Sequence, residues 1–134
     1  MPVRVILDSN FLMASIQFHV DVFRELDKSL NQKVKTVMLS PIYEEIQRIA
    51  CGKGELARRA KLALRMAKNS EVLKVKLKPG ESVDDSIVRL AKEWGCPVAT
   101  NDRELRRRLR LLSVPVIYLR QKSRLAIDGS INPS

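Results

Sequence analysis

The sequence has little of the equipment on which most hydrolytic chemistry relies. His19 is its one histidine, so a Ser-His-Asp or Cys-His mechanism would rest on that residue alone; beside Phe18 it reads as a packing residue. Cys51 and Cys96 are the only cysteines. They stand in no CxxC or Cys/His pattern, which argues against a zinc pair or a disulfide and leaves two buried, reduced thiols as the expectation. Aromatic residues make up 4 % of the chain, too few for base stacking to dominate a nucleic-acid interface, so phosphate contact is the expected mode. No apolar run approaches the roughly 20 residues of a membrane span, and the N-terminus lacks an apolar stretch with a cleavage site. A cytoplasmic location and no membrane partner are expected. Five Gly and six Pro are also too few for a disordered or low-complexity chain.

What is present fits one globular domain. The 134 residues, 45 % of them hydrophobic, suffice to bury roughly two-thirds of the unfolded surface in a single core. We expect that domain over residues 1–125 and a flexible tail over 126–134. The net charge of +10 is uneven: residues 1–50 carry six basic and six acidic side chains, residues 53–78 nine against two, and residues 103–134 eight against two. Two basic clusters around scattered carboxylates suit a polyanion lying across an acidic site. The candidate phosphate contacts are Arg58, Arg59 and Lys61 in the first cluster, and Arg106, Arg107, Arg108 and Arg110 in the second.

Periodicity predicts alternating strands and helices. "PVRVIL" (2–7), "KTVML" (35–39), "CPVAT" (96–100) and "VPVIYL" (114–119) read as short buried strands, and "EVLKVKLK" (71–78) as an exposed edge strand. Helices are expected over 20–30, 40–50, 55–69 and 102–112, and a turn, a helix and its Gly stop over 79–95. Ser40 is the expected N-cap of the second, and Leu56, Ala60, Ala63, Leu64 and Ala67 form the inward stripe of the third. Such alternation implies a parallel sheet with helices on both faces, because parallel strands need crossover connections.

In such sheets sites form beyond the carboxyl ends of the strands, where chain order reverses. Asp8 and Asp102 both follow a strand there. Asn101 and Glu104 fit a capping box, which leaves Asp102 free at the first helical position. At roughly 100° per residue, Glu45 and Asp84 lie roughly 70° from the centre of their helices' apolar stripes, with Glu44 and Asp85 nearly opposite. Asp85 has another use, closing a capping box with Ser82. Asp8, Glu45, Asp84 and Asp102 can therefore converge at one sheet end. Hard oxygen ligands without His or Cys suit Mg²⁺ or Mn²⁺, one ion or two, which could activate water and neutralise a scissile phosphate.

The segments "VILDSNFLM", "SPIYEEI", "DDSIVRLA" and "VATNDRELRRRL", taken in order, resemble the four signature segments of PIN-domain ribonucleases. The resemblance implies a three-layer α/β/α sandwich around a central parallel sheet and metal-dependent cleavage of single-stranded or looped RNA. It assigns catalysis and metal binding to Asp8, Glu45, Asp84 and Asp102, with Asn10, Thr100 and Asn101 as supporting polar groups. "DSNFLMASIQFHVDVFRELD" and "VIYLRQKSRLAIDG" look closer to the pre-rRNA-processing PIN nucleases, in a short archaeal-like form, than to VapC toxins. Ribosome-assembly factors, an antitoxin or a second copy of the chain are then the further candidate partners, and a weakly active RNA- or protein-binding module is the remaining alternative.

Overall fold

In a computed structural model that describes residues 3–121 and 123–131, Val- and Ile-rich runs form the strands of one six-stranded sheet. Strand β1 (Val3–Leu7) leads into helices α1 (Ser9–Gln17) and α2 (Val22–Ser29). Strand β2 (Val34–Leu39) is followed by α3 (Ser40–Ala50) and α4 (Glu55–Met66), a 3₁₀ turn (Ala67–Asn69) and β3 (Glu71–Leu73). The second half runs α5 (Val83–Trp94), β4 (Val98–Ala99), α6 (Arg103–Leu111), β5 (Val116–Arg120) and β6 (Arg124–Asp128).

The strand order is β3-β2-β1-β4-β5-β6. Every pairing is parallel except β5 with β6. From β1 the chain builds outward in one direction to β3, then returns across the sheet to β4 and builds the other way. Right-handed crossovers consequently put the connections of the two halves on opposite faces. Helices α1, α3 and α4 pack together, and α5 packs with α6. Between the layers Val5, Ile6, Leu7, Val37, Met38, Leu39, Val98 and Ile117 are buried almost completely.

Several expectations give way to the structure. A helix absent from the periodicity reading begins at Ser9, directly after Asp8. Ser40 does not cap α3: Leu39 is the N-cap, and the Ser40 hydroxyl bonds both Val75 N and Val75 O. The edge strand stops at Leu73 rather than residue 78, because its partner β2 ends at Leu39 in the same register. Helix α4 is rotated from its expected phase. Ala57, Ala60, Ala63 and Ala67 face inward and Leu56 is 56 % exposed, since small side chains let α4 lie close to α1 and α3. Cys51 and His19 are exposed, so neither is a packing residue; only Cys96 is the buried thiol expected. Strand β6 runs through Ala126–Asp128, inside the segment read as a tail, because its backbone pairs across the hairpin with Val116–Tyr118. The last three tail positions, 132–134, lie outside the described residues. Among the described residues no helix is long and apolar enough to cross a membrane.

Candidate active site

The reversal of strand order falls between β1 and β4, and the sequence delivers Asp8 and Thr100-Asn101-Asp102 to their adjacent carboxyl ends. The backbones are tied there by Asp8 N donating to Ala99 O at 2.9 Å and Thr100 N to Ile117 O at 2.9 Å. Asp8 is only 5 % exposed. Its Oδ1 accepts from Ser9 N at 2.9 Å and its Oδ2 from the Thr100 hydroxyl at 2.7 Å. Thr100, itself fully buried, accepts from Asp102 N at 3.1 Å. Asn10 Oδ1 lies 3.2 Å from the same hydroxyl and accepts from Asn101 N at 2.9 Å, while Asn101 Oδ1 accepts from Leu119 N at 2.9 Å. Asn10, Thr100 and Asn101 thus form one network that fixes the ends of β1, β4 and β5 and aims Asp8.

Asp102 is not the spare acid expected from the sequence. It is the N-cap of α6, its Oδ1 accepting from Glu104 N and Leu105 N at 2.9 and 3.1 Å. A capping aspartate two positions before Glu104 satisfies orphan amides that Asn101, held by β5, cannot reach. Its Oδ2 keeps no hydrogen-bond partner among the described residues. The same is true of the carboxylates of Glu45 and Asp84, both half-buried. Glu44 is exposed, as the helical phase predicts. Ser82 and Asp85 form the expected capping box of α5, with both bonds at 3.0 Å.

Electrostatics link the four acids. Burial pushes Asp8 up to about 6 from 3.8; the Thr100 hydroxyl opposes this, and the Asp84 and Glu45 charges add to it. Burial also raises Asp84, assisted by Asp102 and opposed by Arg108. Asp85 goes the other way, lowered by its bonds with Ser82 and Arg108. Like charges spaced around one buried carboxylate invite a counter-cation, and free carboxylate oxygens are the donors that Mg²⁺ and Mn²⁺ prefer. The donor chemistry fits such an ion. The acids are nonetheless spread around the switch point: among the described residues no three His, Cys, Asp or Glu side chains are grouped closely enough to hold a metal as they stand.

The arginines of α6 are each tethered, and Arg108 acts on the acid group by opposing the rise of Asp84. Arg106 Nε donates to Asp128 at 3.1 Å, and its guanidinium lies 3.8 Å over the Tyr118 ring. Arg110 also pairs with Asp128 (3.2 Å), Arg107 with Glu104 (2.6 Å) and Arg108 with Asp85 (2.8 Å). Arg58 and Arg59 pair with Glu55 on α4. They line a recess with Ile16, Gln17 and His19, about 10–14 Å along α1 from Asp8 at 1.5 Å per residue. Lys61 is exposed on the same helix. The structure therefore brings the four acids, the three supporting polar residues and Arg108 to one end, ties Arg106 and Arg110 to Asp128 opposite the start of β5, and sets Arg58 and Arg59 apart. The anchor Asp128 went unread in the sequence because it lies in the segment taken for a tail.

If Glu45, the half-buried acid of its pair, and Asp84, the acid of its pair that neither closes a cap nor holds Arg108, serve the site, Glu45→Gln and Asp84→Asn should reduce activity far more than Glu44→Gln and Asp85→Asn. Asp85→Ala should instead lower the melting temperature with little change in turnover, because it removes a cap and the tether of Arg108. Equal activity losses within a pair would refute this division, and steady-state rates beside thermal melts of the five variants decide it.

Comparison with known proteins gives a consistent answer. The profile of a family described as a PIN like domain matches residues 5–122. The chain is 34 % identical to "Ribonuclease VapC4" of Methanocaldococcus jannaschii, over 96 % of this chain and 98 % of that protein. It is 29 % identical to the "rRNA-processing protein FCF1 homolog" of Mus musculus over 88 % of its own length, spanning 58 % of that longer protein. Among solved structures, the PIN domain endonuclease Utp24 superposes with a TM-score of 0.81 at 28 % identity, covering 98 % of this chain and 95 % of that one.

Proposed function

Because the chain belongs to the PIN-like domain family, we propose that it is a divalent-metal-dependent endoribonuclease acting in pre-rRNA or related RNA processing. The observation that carries this reading is Asp8: a carboxylate at the strand-order reversal, disfavoured as a charge by its burial and further by Asp84 and Glu45. Asp8, Glu45, Asp84 and Asp102 would hold the ion or ions. When bound, Mg²⁺ or Mn²⁺ supplies an activated water and neutralises charge on the scissile phosphate. The protein's own residues do the positioning. Thr100 and Ser9 N fix both oxygens of Asp8. Asp102 uses one oxygen to begin α6 and presents the other. Arg107 and Arg108 hold the strand's phosphates beside the acids, exchanging their present partners Glu104 and Asp85 for RNA.

The 29 % identity to the rRNA-processing protein FCF1 homolog of Mus musculus favours the processing role. The 34 % identity along the full length of Ribonuclease VapC4 supports a second reading, a toxin ribonuclease of a toxin–antitoxin pair. Purified protein should cleave single-stranded or looped RNA with Mn²⁺ or Mg²⁺ and stop in EDTA. Addition of Mn²⁺ to the metal-free protein should raise its melting temperature, by about 2.7 kcal/mol of stabilisation at a hundredfold excess over the dissociation constant. Undiminished cleavage in excess chelator would sink the metal mechanism. Growth arrest on expression, relieved by the product of an adjacent reading frame, would favour the toxin.

A further inference from the structure

Beyond the residues already considered, the active-site end of the sheet carries the β5–β6 hairpin. In the β4–β5 register Ala99 stands opposite Ile117, and Leu119 N bonds Asn101 Oδ1. Continuing along β5, Arg120 extends past the end of β4, on the side of the sheet where Asp102 begins α6. Across the hairpin, Arg120 is paired directly with Arg124.

Side-chain alternation fixes the face on which both project. Directly opposed residues of an antiparallel pair share a face, and every second residue returns to it. The rows Val116/Asp128, Tyr118/Ala126 and Arg120/Arg124 therefore lie on one face. Arg106 stacks on Tyr118 and bonds Asp128, so that face is the one beneath α6, the helix that Asp102 begins. Positive charge along this column is balanced at its far end, where Asp128 takes both Arg106 and Arg110. At the active-site end it is not balanced. Arg120 and Arg124 are exposed, and neither meets an Asp or Glu at ion-pair distance among the described residues. Like charges directly opposite on paired strands destabilise a hairpin. The two arginines line a recess of about 410 Å³ with Gln121, Leu125 and Ala126, open to an incoming anion.

We propose that Arg120 and Arg124 form a two-guanidinium clamp for the backbone phosphates of an RNA strand running from the acidic site onto the hairpin. The inference rests on the ribonuclease reading and adds a binding site to it. Phosphate complements both guanidiniums at once and removes their mutual repulsion. Phosphate contacts carry no base preference, so the clamp fixes the strand's path rather than its sequence.

The test measures binding of a fluorescent oligouridylate in EDTA, so that the strand stays intact, as a function of salt. The parent, Arg120→Gln/Arg124→Gln, Arg120→Lys/Arg124→Lys and Lys33→Gln/Lys68→Gln are compared; Lys33 and Lys68 are exposed at the opposite end of the sheet. Loss of two contacts should flatten the log–log salt slope by about 1.4, at about 0.7 each for a single strand, and weaken binding by on the order of tenfold. The lysine pair should keep the parent's slope, and the remote pair should change little. The glutamine pair should also melt no lower than the parent, since it removes a repulsion. If it fails to fold, the single Gln variants should each flatten the slope by about 0.7. Equal losses from hairpin and remote pairs would make the effect one of net charge and overturn the clamp. A parent that cleaves RNA with Mn²⁺ beside a glutamine pair that binds unchanged would overturn the clamp and leave the nuclease. A parent that neither binds nor cleaves RNA would remove both.

Discussion

Replacing Asp8 by asparagine is expected to reduce RNA hydrolysis by about a thousandfold while making the protein more stable. The loss follows from removing the charge at the centre of the acidic group: a contribution of several kcal/mol is characteristic of metal-ion catalysis, and each 1.4 kcal/mol is about tenfold in rate. The gain follows from the same burial. A carboxyl at about 6 in the folded chain against 3.8 unfolded binds its proton more tightly when folded. Its contribution to stability is therefore greatest below pH 4, falls between pH 4 and 6, and above pH 6 leaves a penalty of about 3 kcal/mol. The carboxamide does not titrate, can still accept from Ser9 N, and can donate to the Thr100 hydroxyl, which then turns to Asn10. The difference in melting temperature between variant and parent should accordingly widen from pH 4 to pH 6 and stay level above. A variant that melts well below the parent at pH 7 would make Asp8 a structural cap of α1.

Thr100→Val should produce the next largest effect, and a different one. The shape of the side chain is nearly kept, yet Asp102 N loses its acceptor and Asp8 loses its hydroxyl donor inside a buried site. Leaving buried polar groups unpaired costs about 1–3 kcal/mol, so stability should fall where Asp8→Asn raises it. The bond from Thr100 also opposes the upward shift of Asp8. Without it the carboxyl should titrate above 6, and the acid limb of the pH–rate profile should move to higher pH. Thr100 is thus a positioning residue. An unchanged profile with a lower melting temperature would restrict it to a structural role.

Much of this site was legible because its signals are local. Two short apolar runs ending on acids gave the ends of β1 and β4, and helical phase separated half-buried Glu45 from exposed Glu44. The Ser82–Asp85 box assigned Asp85 its cap. What escaped depends on contacts distant in sequence or on short elements. Helix α1 has only nine residues; Phe11 and Leu12 are fully buried and Met13 and Ile16 partly so, which blurs the period that marks an amphipathic helix. Strand β6 has no Asn-Gly turn before it; the hairpin instead places Gln121 at a positive φ of 54°. Asp102 and Asn101 each suited the cap of α6 by spacing, and only the bond of Asn101 to Leu119 decides between them.

The split origin of the acidic site bears on the order in which the chain is made. The hydroxyl that orients Asp8 is translated 92 positions after it, and β5, which anchors Asn101, later still. Closing so long a loop is slow compared with forming local helices, and synthesis proceeds at about 5–20 residues per second. For several seconds, then, the ribosome carries an N-terminal half with Asp8 and Glu45 but without the strand that would join them to Asp84 and Asp102. On the proposed assignment of the four acids, the nascent chain would stay inert toward the RNA around it until β5 has emerged.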